Sequence, residues 1–236
     1  MCWSAEVSIL TFTTSALMCS YIWYRNNEND RPLALWIFVF SLMQLFEFFM
    51  WRNMKDHSWA SKISLVFILV QPVVLGFGLL SIGKILGQGQ EQRQGQGQEK
   101  EQSKDDEEEN NWRVWIRRAL WLFVGIGVIK VVYTIFWLVT TEKNKNWLSE
   151  KGEHCHLVWY FTRNEDKMPY LTRINQLYYI PLLFTALSVA PLYKGLIYSV
   201  LGAISFNFSR WYYGKEWGSI WCWMANALAF ITVIIG

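Results

Sequence analysis

Charge is scarce in this chain. Asp, Glu, Lys and Arg make up 17% of its 236 residues, against about 25% in ordinary soluble domains. Many of those charges fall in one tract, 87–111, which leaves the remainder very apolar. A soluble globular domain is excluded. Cysteine is scarce too: Cys2, Cys19, Cys155 and Cys222 are too few for a disulfide scaffold and form no CxxC pair. The three histidines all lie outside the apolar runs, and no HExxH frame occurs. The net charge of +3 comes from basic residues scattered between apolar runs. They form no stripe of the kind nucleic acid requires, so nucleic acid is not expected as a partner. The N-terminal stretch lacks a basic region and carries Glu6 ahead of its apolar run. It is expected to stay as a helix rather than act as a signal peptide.

What the chain has instead is apolar length. Hydrophobic residues make up 53%, with 15 Trp and 11 Tyr, rings suited to the headgroup level of a bilayer. The run 33–52 is long enough to cross a membrane, although it carries Gln44 and Glu47 inside it. Similar runs cover 5–24, 59–82, 115–140, 174–189, 196–212 and 217–235. The expected fold is an all-α, polytopic transmembrane helix bundle of seven spans, with six as the alternative, forming one domain over 1–236. Pro72 and Pro181 interrupt two of the spans, and each frees a backbone carbonyl that the bundle must satisfy. The Gly/Gln-rich and then acidic tract 87–111 cannot offset its ordering entropy by burying apolar surface, so it reads as a disordered linker between helices three and four.

Seven spans divide the polar residues between two faces. Face A, the side of residue 1, receives the loops 53–58 and 141–172 and the turn 213–216. Face B receives the low-complexity tract and residue 236. Lys and Arg split almost evenly between the faces, so the positive-inside rule gives no orientation. Glu6, Glu47, Arg52, His154, Cys155, His156, Arg210 and Cys222 all fall toward face A. At about 1.5 Å per residue, Glu47 lies roughly 7 Å inside that face, Gln44 roughly 12 Å, and Gln71, Lys130 and Asn226 roughly 15 Å. Gln44, Glu47 and Trp51 share one helical face by their spacing of three and four. These residues can line a polar cavity that opens on face A and ends near the midplane.

Glu47 is the leading site candidate, because an ionised group in the apolar slab must pair or change protonation state. It is either a proton-carrying, cation-binding or catalytic carboxylate, or one half of an internal pair with Lys130, Arg52 or Arg210. Lys130 carries the same two readings. Glu6 is either favourable charge at a helix N-terminus or a second carboxylate facing the cavity. Gln44, Gln71, Asn207 and Asn226 either line the cavity or tie helices together. Arg210 is an interface anchor or an anion site. His154, Cys155 and His156 offer zinc-type donors with Cys2, Cys222 and Glu6 on the same face, but adjacent ligands seldom converge on one metal. Local hydrogen bonding is the favoured reading there, and no metal or cofactor is assigned.

Several of these segments carry a resemblance. Cys2-Trp3-Ser4-Ala5-Glu6, Gln44-Leu45-Phe46-Glu47-Phe48 with Trp51, Gln71-Pro72, His156 with Trp159, and Trp217-Gly218-Ser219 with Trp221-Cys222-Trp223 resemble a family of small multi-span membrane proteins of unknown function. That family is found mainly in giant DNA viruses and single-celled eukaryotes. The resemblance spans nearly the whole chain and implies the helical fold and the weight given to these residues, but no reaction. In layout the chain is distantly similar to seven-helix zinc hydrolases of the ceramidase type. It lacks their intramembrane histidines and aspartate, so their metal and chemistry are not carried over.

The resulting expectation is an integral membrane protein in a lipid bilayer, with a polar cavity near one face. The first reading is a transporter or channel for a proton, ion or small solute. Beside it stand a structural or interaction protein without chemistry and a membrane-embedded lipid-modifying enzyme. The candidate cavity residues are Glu47, Gln44, Gln71, Lys130, Glu6, Arg210, Asn226 and His156.

Overall fold

A computed structural model describes residues 4–85 and 104–235. The first helix, α1 (Ala5–Arg25), starts where the Ser4 hydroxyl accepts the Val7 N–H at 3.4 Å, and it stops at Asn26 in the left-handed region. Asn29 repeats that conformation and sends the chain back into α2 (Asp30–Arg52). A short turn leads to α3 (Ser58–Ser81), which keeps Pro72 inside it. Next comes α4 (Lys104–Thr140). It begins well before residue 115, so 104–111 of the expected linker is helical, and the tract before residue 104 lies outside the described residues.

The segment between α4 and the next long helix is a folded layer. A small antiparallel pair, β1 (Glu150–Lys151) and β2 (Leu157–Val158), is followed by the one-turn helix α5 (Tyr160–Arg163) and two 3-10 turns. The run 156–161, whose conformation periodicity leaves open, is thus part strand and part helix. Three further helices close the fold: α6 (Gln176–Leu187), α7 (Leu192–Tyr212) and α8 (Trp217–Ile235). α2 packs against α1, α3 and α8, so it is the central helix of the bundle.

Five helices are long and apolar enough to cross a bilayer: α1, α2, α3, α4 from residue 111, and α8 with its preceding turn. This is an integral, multi-pass membrane protein. The other two are different. α7 has 21 residues, whereas α6 has 12, or about 18 Å of rise. α6 is also set low. Tyr178, in its first turn, donates to Gln71 Oε1 at 2.6 Å. Gln71 lies about 19 Å along α3 from its face-A end at 1.5 Å per residue. The chain from 164 to 175 therefore descends between the helices before α6 begins.

Both ends of the bundle are tied. On face B, Arg25 bonds Asp30 and the carbonyls of Thr232 and Val233, while Asn29 bonds Lys84 and Ala190. On face A, His57 accepts the Ser149 N–H at 2.7 Å and the Ser58 hydroxyl accepts the Trp147 N–H at 2.9 Å. These contacts gather helix ends at two opposite ends of the bundle. The aromatic residues do more than belt the membrane. Trp147, Trp159, Trp221, Tyr178, Tyr198 and Phe40 are among the largest fully buried side chains, and Trp221 meets Phe40, Tyr178 and Phe206 edge to face.

Candidate functional site

Glu47 is 0% exposed, as is Gln44 one turn earlier on the same face of α2. Three donors face the carboxylate: Ser219 in the first turn of α8, the Trp159 indole where β2 turns into α5, and the Gln44 amide. None meets strict hydrogen-bond geometry. Both Glu47 oxygens, the Ser219 hydroxyl, the Trp159 indole N–H and both ends of the Gln44 amide are buried without a protein hydrogen bond. They are near neighbours poised around one another rather than a closed network. Cys222, one turn along α8 from Ser219, lies within electrostatic reach of Glu47 and of Tyr178.

Local sequence explains how these groups meet. Gly218 lets the indole in: a Cβ there would lie 2.6 Å from Trp159 Cε3. The strand pair that delivers Trp159 is in turn held by Glu216, whose buried carboxylate accepts the backbone N–H of His154 at 3.0 Å and of His156 at 3.1 Å, with the His154 ring at 3.2 Å. Gly152 leaves the room that this carboxylate occupies. His156 packs edge to face on Tyr213, and burial holds its imidazole below the usual value of 6.5, with Glu216 opposing that shift. His154, Cys155 and His156 are thus organised by a carboxylate. Among the described residues, no group of three or more His, Cys, Asp or Glu side chains is placed to hold a metal. Cys155 is disulfide-bonded, which removes it as a nucleophile. Cys2 lies outside the described residues.

The other expected cavity residues are placed separately. Gln71 is buried and bonded to Tyr178, with its amide nitrogen free of a protein partner. Lys130 is buried, but its ammonium donates to the Arg173 carbonyl at 3.0 Å and to Asn175 Oδ1 at 3.3 Å, at the start of α6. Among the described residues, no ion pair involves Glu47. Asn226 donates to the Cys222 carbonyl and borders a groove of about 270 Å³ between α1 and α8. Glu6 is exposed in the first turn of α1. Arg210 lies 3.6 Å from Glu165, over the ring of Trp217. The structure therefore gathers Gln44 and Glu47, with Gln71 adjoining through Tyr178, and keeps Lys130, Glu6, Arg210 and Asn226 apart.

Sequence reasoning missed Ser219 and Trp159 as neighbours of the carboxylate, Tyr178 as the partner of Gln71, and Glu216 as the organiser of the histidines. A Gly-Ser pair between two tryptophans at a helix start was the available signal for Ser219. Glu216, just outside the last span on the face of the histidines, was a signal as well.

What the arrangement can do follows from the donor set. A protonated Glu47 can donate to the Gln44 amide oxygen, and an ionised one can accept from Ser219, Trp159 and the Gln44 amide nitrogen. An amide can serve as donor or acceptor, so the surroundings fit both protonation states. A metal cation is fitted less well, because an indole N–H offers only a donor. No protein-family model, curated protein or solved structure matches this chain.

Proposed function

We propose that this protein is a proton-linked transporter of seven spans in which Glu47 is the proton-binding carboxylate. One observation carries the reading. A fully buried acid sits within an apolar bundle without an ion pair to any described residue, among donors that have no other protein partner. Buried ionisable groups in membranes pair with one another or mark a route for ions or protons. The three groups around Glu47 come from α2, α8 and the face-A layer, so a change in its charge bears on how those parts close against each other.

Two features lend support. α6 is a short, deeply set helix, and discontinuous helices of that kind accompany midplane sites in transporters. The segments behind the family resemblance also converge here: Gln44, Glu47, Trp159, Ser219 and Cys222 come from three of them. The disulfide at Cys155 supports an orientation in which face A meets an oxidising compartment.

The test is purified protein in sealed liposomes carrying a trapped pH dye and an imposed pH gradient. The wild-type chain is expected to collapse the gradient. Glu47→Gln, which keeps the shape, is expected to abolish that flux while the thermal unfolding midpoint is retained. Equal flux in both proteins sinks the role of Glu47. The second reading is purely structural, and the 2.6 Å bond from Tyr178 to Gln71 favours it by showing that buried polar groups do tie these helices together. It requires Glu47→Gln to lose folded protein and the wild type to carry no flux.

A further inference from the structure

A second polar recess lies away from Glu47, and the reading of it does not rest on proton transport. It is a groove of about 250 Å³ bordered by Glu165, Asn175, Gln176, Tyr179, Phe206 and Arg210. Tyr179 and Phe206 stack at 4.4 Å to form its wall. Its Arg210 end is at the level of lipid headgroups, and its Asn175 and Gln176 end reaches down to the start of α6. Arg210 belongs to the last turn of α7, and its neighbour Trp211 is 83% exposed, as suits a ring at the membrane–water boundary.

The chemistry of the recess is a loosely held pair of opposite charges. Arg210 Nη2 lies 3.6 Å from Glu165 Oε2, beyond hydrogen-bond distance. Arg210 makes no hydrogen bond to any described residue, although a guanidinium carries five N–H donors. What holds it is the face of Trp217, 5.8 Å from the ring centroid. The Glu165 carboxyl is pushed up from its usual range, first by burial, with Arg210 and Arg173 opposing and Asp166 adding to it. Arg210 ends α7, whereas Glu165 opens the 3-10 turn Glu165–Lys167 that follows α5.

We propose that this recess binds the headgroup of a zwitterionic phospholipid bearing a primary ammonium, with the phosphate on Arg210 and the ammonium on Glu165. The recess offers a cation for the phosphate and, 3.6 Å away, a carboxylate for the ammonium. The planar guanidinium can meet two phosphate oxygens at once. The ammonium supplies a charged donor to the carboxylate, which Arg210 meets only at 3.6 Å. The apolar side of α6 and α7 outside the recess, with Ile180 and Ile204 exposed, suits the acyl chains.

The experiment is native mass spectrometry of the full chain released from nanodiscs containing equal parts phosphatidylethanolamine, phosphatidylcholine and phosphatidylglycerol. One retained phosphatidylethanolamine is expected, favoured about tenfold over the other two, the worth of one charge-assisted contact. Arg210→Gln is expected to lose it, and Arg210→Lys to keep part of it. Glu165→Gln is expected to abolish the preference for ethanolamine over choline while retaining phosphate binding. Because Arg210→Gln also frees Trp217, its unfolding midpoint is read alongside, and Glu165→Gln tests the proposal without touching that contact. Equal retention of all three lipids, or a preference unchanged in Glu165→Gln, overturns it. So does binding of soluble phosphoethanolamine by protein that retains no lipid, which would assign the recess to a water-borne ligand.

Discussion

Two of the polar clusters in this bundle are built on opposite principles. At face B, Asp30 accepts from Arg25 Nε at 2.7 Å, from Arg25 Nη2 at 3.0 Å and from the Asn27 N–H at 2.9 Å. The Arg25 guanidinium also reaches the carbonyls of Thr232 and Val233 at the end of α8. Beside it, the Asn29 side chain donates to the Lys84 and Ala190 carbonyls and accepts the Lys84 N–H. That cluster is saturated: α1, α2, α8 and the segments after α3 and before α7 are locked through it. Around Glu47, by contrast, acid, hydroxyl, indole and amide are equally buried and none is bonded. A buried unsatisfied group costs roughly 1–3 kcal/mol, so a bundle that needs only cohesion has no reason to keep several together. A saturated cluster serves as a clamp, whereas an unsaturated one can change its state.

The largest effect that tests this contrast lies at the clamp. Asp30→Ala leaves the part-buried Arg25 charge beside a helix end without its counter-ion, and breaking a fully buried pair of this kind costs about 3–5 kcal/mol, which is the upper bound here. Thermal unfolding in detergent micelles is expected to show a large fall in midpoint, with much of the protein lost during purification. Glu47→Gln is expected to stay within about 1 kcal/mol of wild type, because the amide can use the same donors and no counter-ion is stranded. If the two variants lose stability equally, the clusters do not differ in kind and the proton reading fails.

That contrast was half legible in the chain. Glu47 shows itself as an acid inside an apolar run, and Gln44 as its neighbour by helical spacing. Five long apolar helices were legible too, because each one able to cross a bilayer needs a long apolar run. The rotation of each helix was not. Lys130 and Glu47 were paired on depth alone, but depth does not say which way a side chain points, and Lys130 faces the start of α6. α6 itself, read over 174–189, is shorter. Its ends are set by Asn175, which caps the helix by accepting the Leu177 N–H, and by the bonding of Ala190 to Lys84, neither of which leaves a mark in periodicity. Trp159 and Ser219 were hidden for a different reason. A tryptophan near a membrane face looks like an anchor, and only the contact across Gly218 shows it to be a wall of the site.

A middle-sized test lies between the clusters. Tyr178 joins Gln71 by a single buried hydrogen bond between α6 and α3, and its ring meets Trp221 edge to face at 6.1 Å. Tyr178→Phe keeps the ring and removes only the hydroxyl. Polar contacts between membrane helices are worth about 0.6–1.7 kcal/mol, so a modest drop in unfolding midpoint is expected. If the bond only ties helices, flux in liposomes is unchanged. If Gln71 extends the unsaturated cluster, freeing its amide changes flux as well, and the boundary between clamp and site moves outward to include α6.

The smallest effect is one of pH, read at the layer that carries Trp159. His156 is buried between the strand pair and Tyr213, and among the described residues the charged or titratable groups around it include Glu216, His154 and Tyr213. Burial depresses its pKa below 6.5, outweighing the attraction of Glu216. The neutral imidazole is therefore the form the fold prefers, and the unfolded chain binds more protons as pH falls. Stability from this group is present above about 6.5 and declines as pH drops through the lower, folded value. Unfolding midpoints measured from pH 8 down to pH 5 are expected to decline more steeply in wild type than in His156→Gln. Because other groups titrate in the same range, the difference between the two curves carries the result. Parallel curves would mean that the imidazole is already solvated when folded. The face-A layer would then be open where the structure closes it, and Trp159 would lack the fixed support that brings its indole to Glu47.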